Sequence, residues 1–287
     1  MNILPTYEDY SQILILGEAD FSFTRAFAKE LELELSPSPS LAASIQSTKN
    51  WECNARKIEI TATEYGNSAD VTKRYFDDDN EKFSNAITEI CDLDPIKEIA
   101  CGVNARLLGD PINCPCQRWN PIEKNWDAVS QFWEQDQDQD QDKNKFKIKA
   151  RSAITSTSTS TSTSTSTAFD LIIFNFPHSN QAGRAAKLIK ALFKQIRTCI
   201  RQRRLPPTIV LEMRLRVLES DPTLKKNIRA SYKHEEAAED SGFKLLGCWE
   251  SDLHRWEKYD YQHKWTKRNA SCRDVSLACK VWRWTPI

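Results

Sequence analysis

The feature that most constrains this chain is a series of short apolar runs, each followed by a stretch with helical spacing. Residues 13–16 (ILIL) end at Gly17, and residues 22–35 then carry Phe23, Phe27 and Leu31 at i, i+4 and i+8, one face of a helix. Residues 169–174 and 208–213 are near-continuous apolar runs, the pattern of strands covered on both faces. Further strands are predicted at 57–62, 98–103, 243–249 and 275–284, and further helices at 80–90, 181–201 and 222–240. Strands that alternate with helices join through crossovers and build a parallel sheet. The expected fold is therefore α/β: one domain over 1–287, with a mostly parallel seven-stranded sheet flanked by helices. Ligands of such sheets bind beyond the carboxyl ends of the strands, where strand order reverses.

Composition matters at three points. Forty Lys+Arg balance forty Asp+Glu, so a nucleic-acid partner must be met by a local patch rather than by overall charge. No run approaches the ~18 apolar residues of a membrane span, and no basic segment followed by an apolar one opens the chain, so a protein of the cell interior is expected. Nine irregularly spaced Cys suit reduced thiols better than a disulfide framework. Cys91, Cys101, Cys114 and Cys116 lack paired Cys-x-x-Cys knuckles, so no metal is expected. Two segments cannot build a core: the Gln-Asp repeat at 135–142 and the Ser-Thr alternation at 155–167 have no apolar face. Residues 134–168 are read as a disordered insertion, interrupted at most by a short strand at 145–150. A smaller loop at 36–40, with Pro37 and Pro39, closes the first helix.

The turn after the first strand reads Gly17, Glu18, Ala19, Asp20, Phe21, Ser22. Glycine lets the backbone turn tightly and approach a ligand, and Ser22 is placed to cap the helix. A dinucleotide fingerprint needs three glycines, which disfavours a nicotinamide or flavin enzyme. Glu18 and Asp20 put negative charge where a phosphate would be repelled and a cationic group accepted.

ILILGEADFSF (13–23) together with FDLIIFNFPHS (169–179) resembles the paired signature of the eukaryotic Rossmann-like ribosomal RNA (uridine-N3)-methyltransferase family, whose blocks read Gly-Glu-Gly-Asp-Phe-Ser-Phe and Asn-Phe-Pro-His. ITATEY (60–65), CGVNA (101–105) and YDYQHKWTK (259–267) are similar to its second-strand, third-strand and C-terminal blocks. The resemblance implies a Rossmann-like methyltransferase that binds S-adenosylmethionine through Gly17, Glu18, Ala19, Asp20, Phe21 and Ser22. It implies an adenosine edge near Glu64 or Tyr65 and near Asn104. It further implies methylation of uracil N3 in large-subunit ribosomal RNA, ribosomal RNA or a pre-ribosomal particle as partner, and a nucleolar or nuclear location; the sequence leaves the oligomeric state open, with a monomer favoured. Ala19 stands where the family has its second Gly, Asn104 where an acidic residue is usual, and Glu64 where a small polar residue is common. Two rival readings stay open: a catalytically weak RNA-binding assembly factor of the same fold, and a methyltransferase for another nucleobase.

Asn175, Phe176, Pro177 and His178 follow the fourth strand and form the candidate active-site turn. Pro177 restricts Phe176 to extended backbone, leaving Asn175 to orient a base edge or the sulfonium and Phe176 to stack on a ring. His178 is placed to take the imide proton, with Asp20 as the alternative; the plainer reading makes His178 a helix cap. Eight basic and no acidic residues lie between 183 and 204, and Arg184, Lys187, Lys194 and Arg201 mark an RNA-facing stripe or a solvated face. Five of the nine Trp fall from Trp249 onward, interleaved with cations. Tyr259, Tyr261, His263 and Lys264 are expected to meet substrate, and Trp282 and Trp284 to be core.

Overall fold

A computed structural model describes residues 6–17, 20–35, 57–108, 116–129, 169–175, 183–216, 232–251, 253–261, 263–265, 268–270 and 279–287. The expected insertion at 134–168 with its strand at 145–150, the loop at 36–40 and the N-terminal part of the helix expected over 222–240 lie outside the described residues. Nine strands form the main sheet: β1 (Gln12–Leu16), β2 (Glu59–Glu64), β3 (Ile96–Cys101), β4 (Cys116–Asn120), β5 (Asn125–Val129), β6 (Leu171–Asn175), β7 (Val210–Arg216), β8 (Phe243–Glu250) and β11 (Cys279–Pro286), ordered β5-β4-β3-β2-β1-β6-β7-β11-β8. Strands β3, β2, β1, β6 and β7 are parallel, while β11 runs antiparallel between β7 and β8. All seven strands expected from the sequence are present. The count of seven is corrected to nine, because the β4–β5 hairpin adds two antiparallel strands on the β3 edge. A separate two-stranded ribbon pairs β9 (His263–Trp265) with β10 (Arg268–Ala270).

One face of the sheet packs against α1 (Ser22–Leu35), α2 (Ser68–Tyr75), α3 (Asn80–Cys91) and a 3-10 turn at Leu253–Tyr259. Phe23, Phe27 and Leu31 of α1 are buried against Ile13, Ile15 and Ile173, so the predicted helical face is the one that packs. The 3-10 turn is fastened by Glu30, which accepts from Arg255 Nε at 3.0 Å and from the Trp256 indole N–H. The opposite face packs against α4 (Arg184–Arg201) and α5 (His234–Asp240), with Ile189, Leu192, Phe193 and Ile196 on Leu14, Ile172, Phe174 and Trp284. Trp282 and Trp284 are core, as expected. No helix among the described residues is long and apolar enough to cross a membrane.

At the amino ends of the strands, Asp170 accepts from the Ser11 amide and hydroxyl, both at 2.8 Å, and from the Gln12 amide at 3.0 Å. One carboxylate thus sets the register of β6 beside β1. Both strands then reach their carboxyl ends together, at Gly17 and Asn175.

Candidate active site at the carboxyl ends of the parallel strands

Strand β1 lies between β2 and β6, and strand order reverses between β1 and β6. This is the crevice where an open parallel sheet takes its ligand. Gly17 ends β1 with φ +76°, and a Cβ there would stand 3.1 Å from the Phe174 ring and 3.6 Å from the Asn175 carbonyl oxygen. The glycine is therefore required twice, by its left-handed backbone and by the closeness of β6.

Asp20 begins the described part of the following turn. Its Oδ1 accepts from the Ser22 amide at 3.2 Å and from the Ser22 hydroxyl at 2.6 Å. The expectation that Ser22 caps α1 is corrected: Ser22 is the first helical residue and donates its hydroxyl to Asp20, which does the capping. Phe21 has φ +59° and is fully buried among Ala62, Val71, Phe76 and Phe83. Its side chain is an anchor of the turn, so a ligand can meet only its backbone. Glu18 and Ala19 lie outside the described residues.

Glu64 ends β2 as a buried carboxylate whose Oε1 lies 3.4 Å from the Gly66 amide, while its backbone oxygen accepts from Val103. Tyr65, beside it, is 63% exposed. Tyr75, on the last turn of α2, feels both acids: burial pushes its hydroxyl pKa up, and the charges of Glu64 and Asp20 add to the rise. Asn104 follows β3, and its Oδ1 accepts from the Arg106 amide at 3.0 Å. The acceptor expected to face adenosine is thus engaged in Asn104's own turn.

Asn175, the last residue of β6, is buried, and its Oδ1 accepts from Arg214 Nη1 at 2.9 Å. Arg214 Nη2 reaches the Tyr7 hydroxyl at 2.8 Å and Glu212 Oε1 at 2.8 Å. Tyr7 donates to Glu212 Oε1 at 3.0 Å, and Arg283 Nε donates to Glu212 Oε2 at 2.8 Å. The Arg214 guanidinium also lies over Phe23, 4.7 Å from the ring centre. Burial pushes the Tyr7 hydroxyl up to about 12, so it stays protonated and donates. Sequence reasoning missed this network. Its signal was two charges two residues apart in an apolar strand, which share one face and demand partners when buried. Phe176, Pro177 and His178 lie outside the described residues.

Arg184, Lys187, Lys194 and Arg201 are all exposed on α4. The stripe is not of one sign, however, since α5 brings Asp240 to within 2.7 Å of Lys190. The Lys190 hydrogen bond holds the Asp240 carboxyl below its ordinary range, and Lys194 adds to the effect. Arg184 and Lys187 stand at the crevice end of α4, whereas Arg201 is about 25 Å away along an 18-residue helix. Tyr261, expected to meet substrate, is buried with its ring 5.9 Å from Phe23 and 6.4 Å from Trp256. Its aromatic neighbourhood in the sequence marked core, not a stacking surface. Tyr259 is half-buried on the 3-10 turn, with the Lys258 ammonium 4.7 Å from its ring centre. His263 and Lys264 belong to β9, which pairs with β10 and is not part of the main sheet's ladder. Among the described residues, no three His, Cys, Asp or Glu side chains are grouped to hold a metal ion.

The structure therefore brings Gly17, Asp20, Glu64, Asn104 and Asn175 to the ends of four adjacent parallel strands, β3-β2-β1-β6. A search of curated proteins found no match. A family model described as BMT5-like, rRNA (uridine-N3-)-methyltransferase, matches residues 14–264, from within β1 to within β9. With that match over most of its length, the chain belongs to the BMT5-like rRNA (uridine-N3-)-methyltransferase family.

Proposed function

We propose that the chain is an S-adenosylmethionine-dependent methyltransferase acting on uracil N3 in large-subunit ribosomal RNA, working on a pre-ribosomal particle in the nucleolus or nucleus. The observation that supports it best is the pairing, across the β1/β6 crevice, of an acidic side and an amide side. Asp20 after β1 and Glu64 at the end of β2 supply carboxylates whose charges both act on Tyr75, while Asn175 ends β6 on the other side of β1. The acidic side fits the cofactor: a buried carboxylate at the end of β2 is a hydrogen-bond acceptor of the kind that takes ribose hydroxyls, and carboxylates favour a positively charged ligand. Gly17 leaves room where a side chain would press on β6. S-adenosylmethionine, when bound, supplies a methyl group on a cationic sulfur that keeps the bonding pair as the methyl leaves.

The protein's part is to hold the base and remove its proton. A neutral imide nitrogen is a poor nucleophile, and its anion is a good one. His178 is assigned that proton. His178→Asn keeps a capping side chain but cannot titrate near neutrality, so single-turnover methylation should slow by ~10² to 10⁴-fold, the usual range for a missing general base. The deficit should shrink at high pH, where uracil ionises unaided; an equal rate at every pH would leave His178 as turn architecture.

RNA is assigned to the crevice end of α4. Each phosphate that the protein ceases to neutralise should flatten the slope of log affinity against log salt by about 0.7 to 0.9. Arg184→Gln with Lys187→Gln should show that flattening, whereas Arg201→Gln should change the slope little. Equal effects from all three would spread the RNA along the whole helix. The reading as a whole is tested by nucleoside mass spectrometry of ribosomal RNA from a deletion strain. Loss of one N3-methyluridine supports it, and an unchanged nucleoside profile removes it.

A further inference from the structure

We propose that the β9–β10 ribbon grips unpaired ribosomal RNA next to the target base, with Trp265 and Arg268 as a stacking step for a flanking base and Lys264 as a phosphate contact. The inference rests on the reading of the crevice as a uridine site in RNA and extends that site to the neighbouring nucleotides.

Topology carries it. Strands β8 and β11 are antiparallel neighbours, which a hairpin loop of about 2–5 residues commonly joins. The chain instead makes an excursion over residues 251–278, of which the 3-10 turn and the ribbon are the described elements. The excursion leaves and returns at the carboxyl ends of the parallel strands: Glu250 stands opposite Lys280, and Cys279 opposite Arg216, the last residue of β7. Long connections at that end are where an α/β sheet places its binding residues.

The root of the ribbon is fixed beside the crevice. The Tyr261 amide donates to the Trp256 carbonyl oxygen at 3.3 Å, and its buried ring lies 5.9 Å from the Phe23 ring. The Arg214 guanidinium, which holds Asn175 Oδ1, is 4.7 Å from the centre of that same Phe23 ring. Strand β9 starts two residues after Tyr261, so its first Cα is within about 7 Å of the anchor. Helix α4, with Arg184 and Lys187 at its crevice end, packs on the opposite face of the sheet, so the RNA would be held from both sides.

Charge and register select the partner. In a chain whose charges sum to zero, residues 261–273 hold Lys264, Lys267, Arg268 and Arg273 and no acidic residue. Residues directly opposite in an antiparallel pair share a face, and successive residues alternate between faces. The register therefore places Trp265 with Arg268, and His263 with Ala270, on one face, and Lys264 with Asn269 on the other. An indole and a guanidinium are both planar surfaces on which an unpaired base stacks, while a lysine meets phosphate as a point charge. A duplex keeps its bases stacked on one another and offers the ribbon only its backbone.

Fluorescence anisotropy with the full-length protein, across a salt series, tests this on a uridine-containing single-stranded RNA and on the same sequence in a duplex. Trp265→Ala should weaken binding to the single strand by roughly 5- to 150-fold, the range for loss of one stacked base, with the salt slope unchanged. Trp265→Phe should recover part of that loss, and Trp265→Ala should bind the duplex as the wild type does. Arg268→Lys keeps the charge and loses the plane, so it too should weaken single-strand binding without changing the slope. Lys264→Gln should flatten the slope by about 0.7. Equal affinity of Trp265→Ala and wild type for the single strand, or equal losses on both RNAs, would overturn the inference. Should Trp265→Ala not fold, Arg268→Lys decides, and an unchanged single-strand affinity overturns the inference. Nucleoside mass spectrometry of ribosomal RNA separates the inference from the functional reading. A protein that binds RNA through the ribbon but accounts for no N3-methyluridine removes that reading and keeps the ribbon; one that makes the product, with ribbon variants that bind as it does, removes only the inference.

Discussion

Gly17→Arg should abolish S-adenosylmethionine binding, measured by calorimetry, while leaving a folded protein. The backbone at this position is left-handed, and a non-glycine residue there costs about 1–2 kcal/mol. A Cβ would also press on the Phe174 ring at 3.1 Å, forcing a shift of a few tenths of an ångström at the end of β6. Neither effect unfolds a sheet of nine strands. At about 2–4 °C per kcal/mol for a chain of this size, the melting temperature should fall by only a few degrees. The guanidinium matters more. It brings a positive charge to the crevice that Asp20 and Glu64 make acidic, and competes for those carboxylates with a cationic cofactor. Unchanged affinity would move the cofactor site away from the turn after β1.

Glu212→Gln should give the largest loss of stability of any single substitution in the sheet. Glu212 is completely buried and accepts from Tyr7, Arg214 and Arg283. The substitution keeps size and one acceptor but leaves two buried guanidinium groups without a countercharge, which costs about 3–5 kcal/mol. Urea denaturation should show the midpoint falling with the slope unchanged, as for a change in stability alone. Glu212→Leu with Arg214→Leu and Arg283→Met would separate charge from packing, since replacing a whole buried ionic group by apolar side chains is often neutral for stability. A small effect of Glu212→Gln would mean that water or another group compensates the charges.

The strands and helices legible in the sequence are those whose burial leaves a period. In α1 the i, i+4, i+8 set of Phe23, Phe27 and Leu31 marks the buried face. Strands β1 and β6 read as continuous apolar runs because helices cover both sides. The β4–β5 hairpin carries no such signal: Trp119 is buried, but Asn125, Asp127 and Ala128 are exposed. Only the Asn120-Pro121 dipeptide announced its turn, with Asn120 Oδ1 accepting from the Ile122 amide at 3.1 Å. Helix α2 escaped notice because just Val71 and Thr72 of its eight residues are buried, although Asn67 caps it through the Asp70 amide at 2.8 Å.

At the site, the glycine turn and Asn175 were legible because motif and strand end coincide. The network behind Asn175 was not, since Tyr7 and Arg283 lie 205 and 71 residues from Glu212 and only the fold brings them together. Tyr261 shows the opposite failure. Aromatic and basic residues in alternation suggest a stacking surface, yet what decides is which face of the chain the 3-10 turn lays against α1.

Phe21 ties the crevice to the core beneath α2 and α3. A phenylalanine in left-handed backbone costs about 1–2 kcal/mol, and burying its ring offsets this by about 1.5–3 kcal/mol, provided Val71, Phe76 and Phe83 keep their places beneath α2 and α3. Phe21 is thus held in place at the start of α1 by a small surplus. If the turn holds the cofactor as proposed, molecules in which the ring has slipped out would not bind it, and the apparent dissociation constant would rise in inverse proportion to the competent fraction. Substitutions deep under α3, remote from any cofactor atom, would therefore surface as weaker binding before they register as loss of fold.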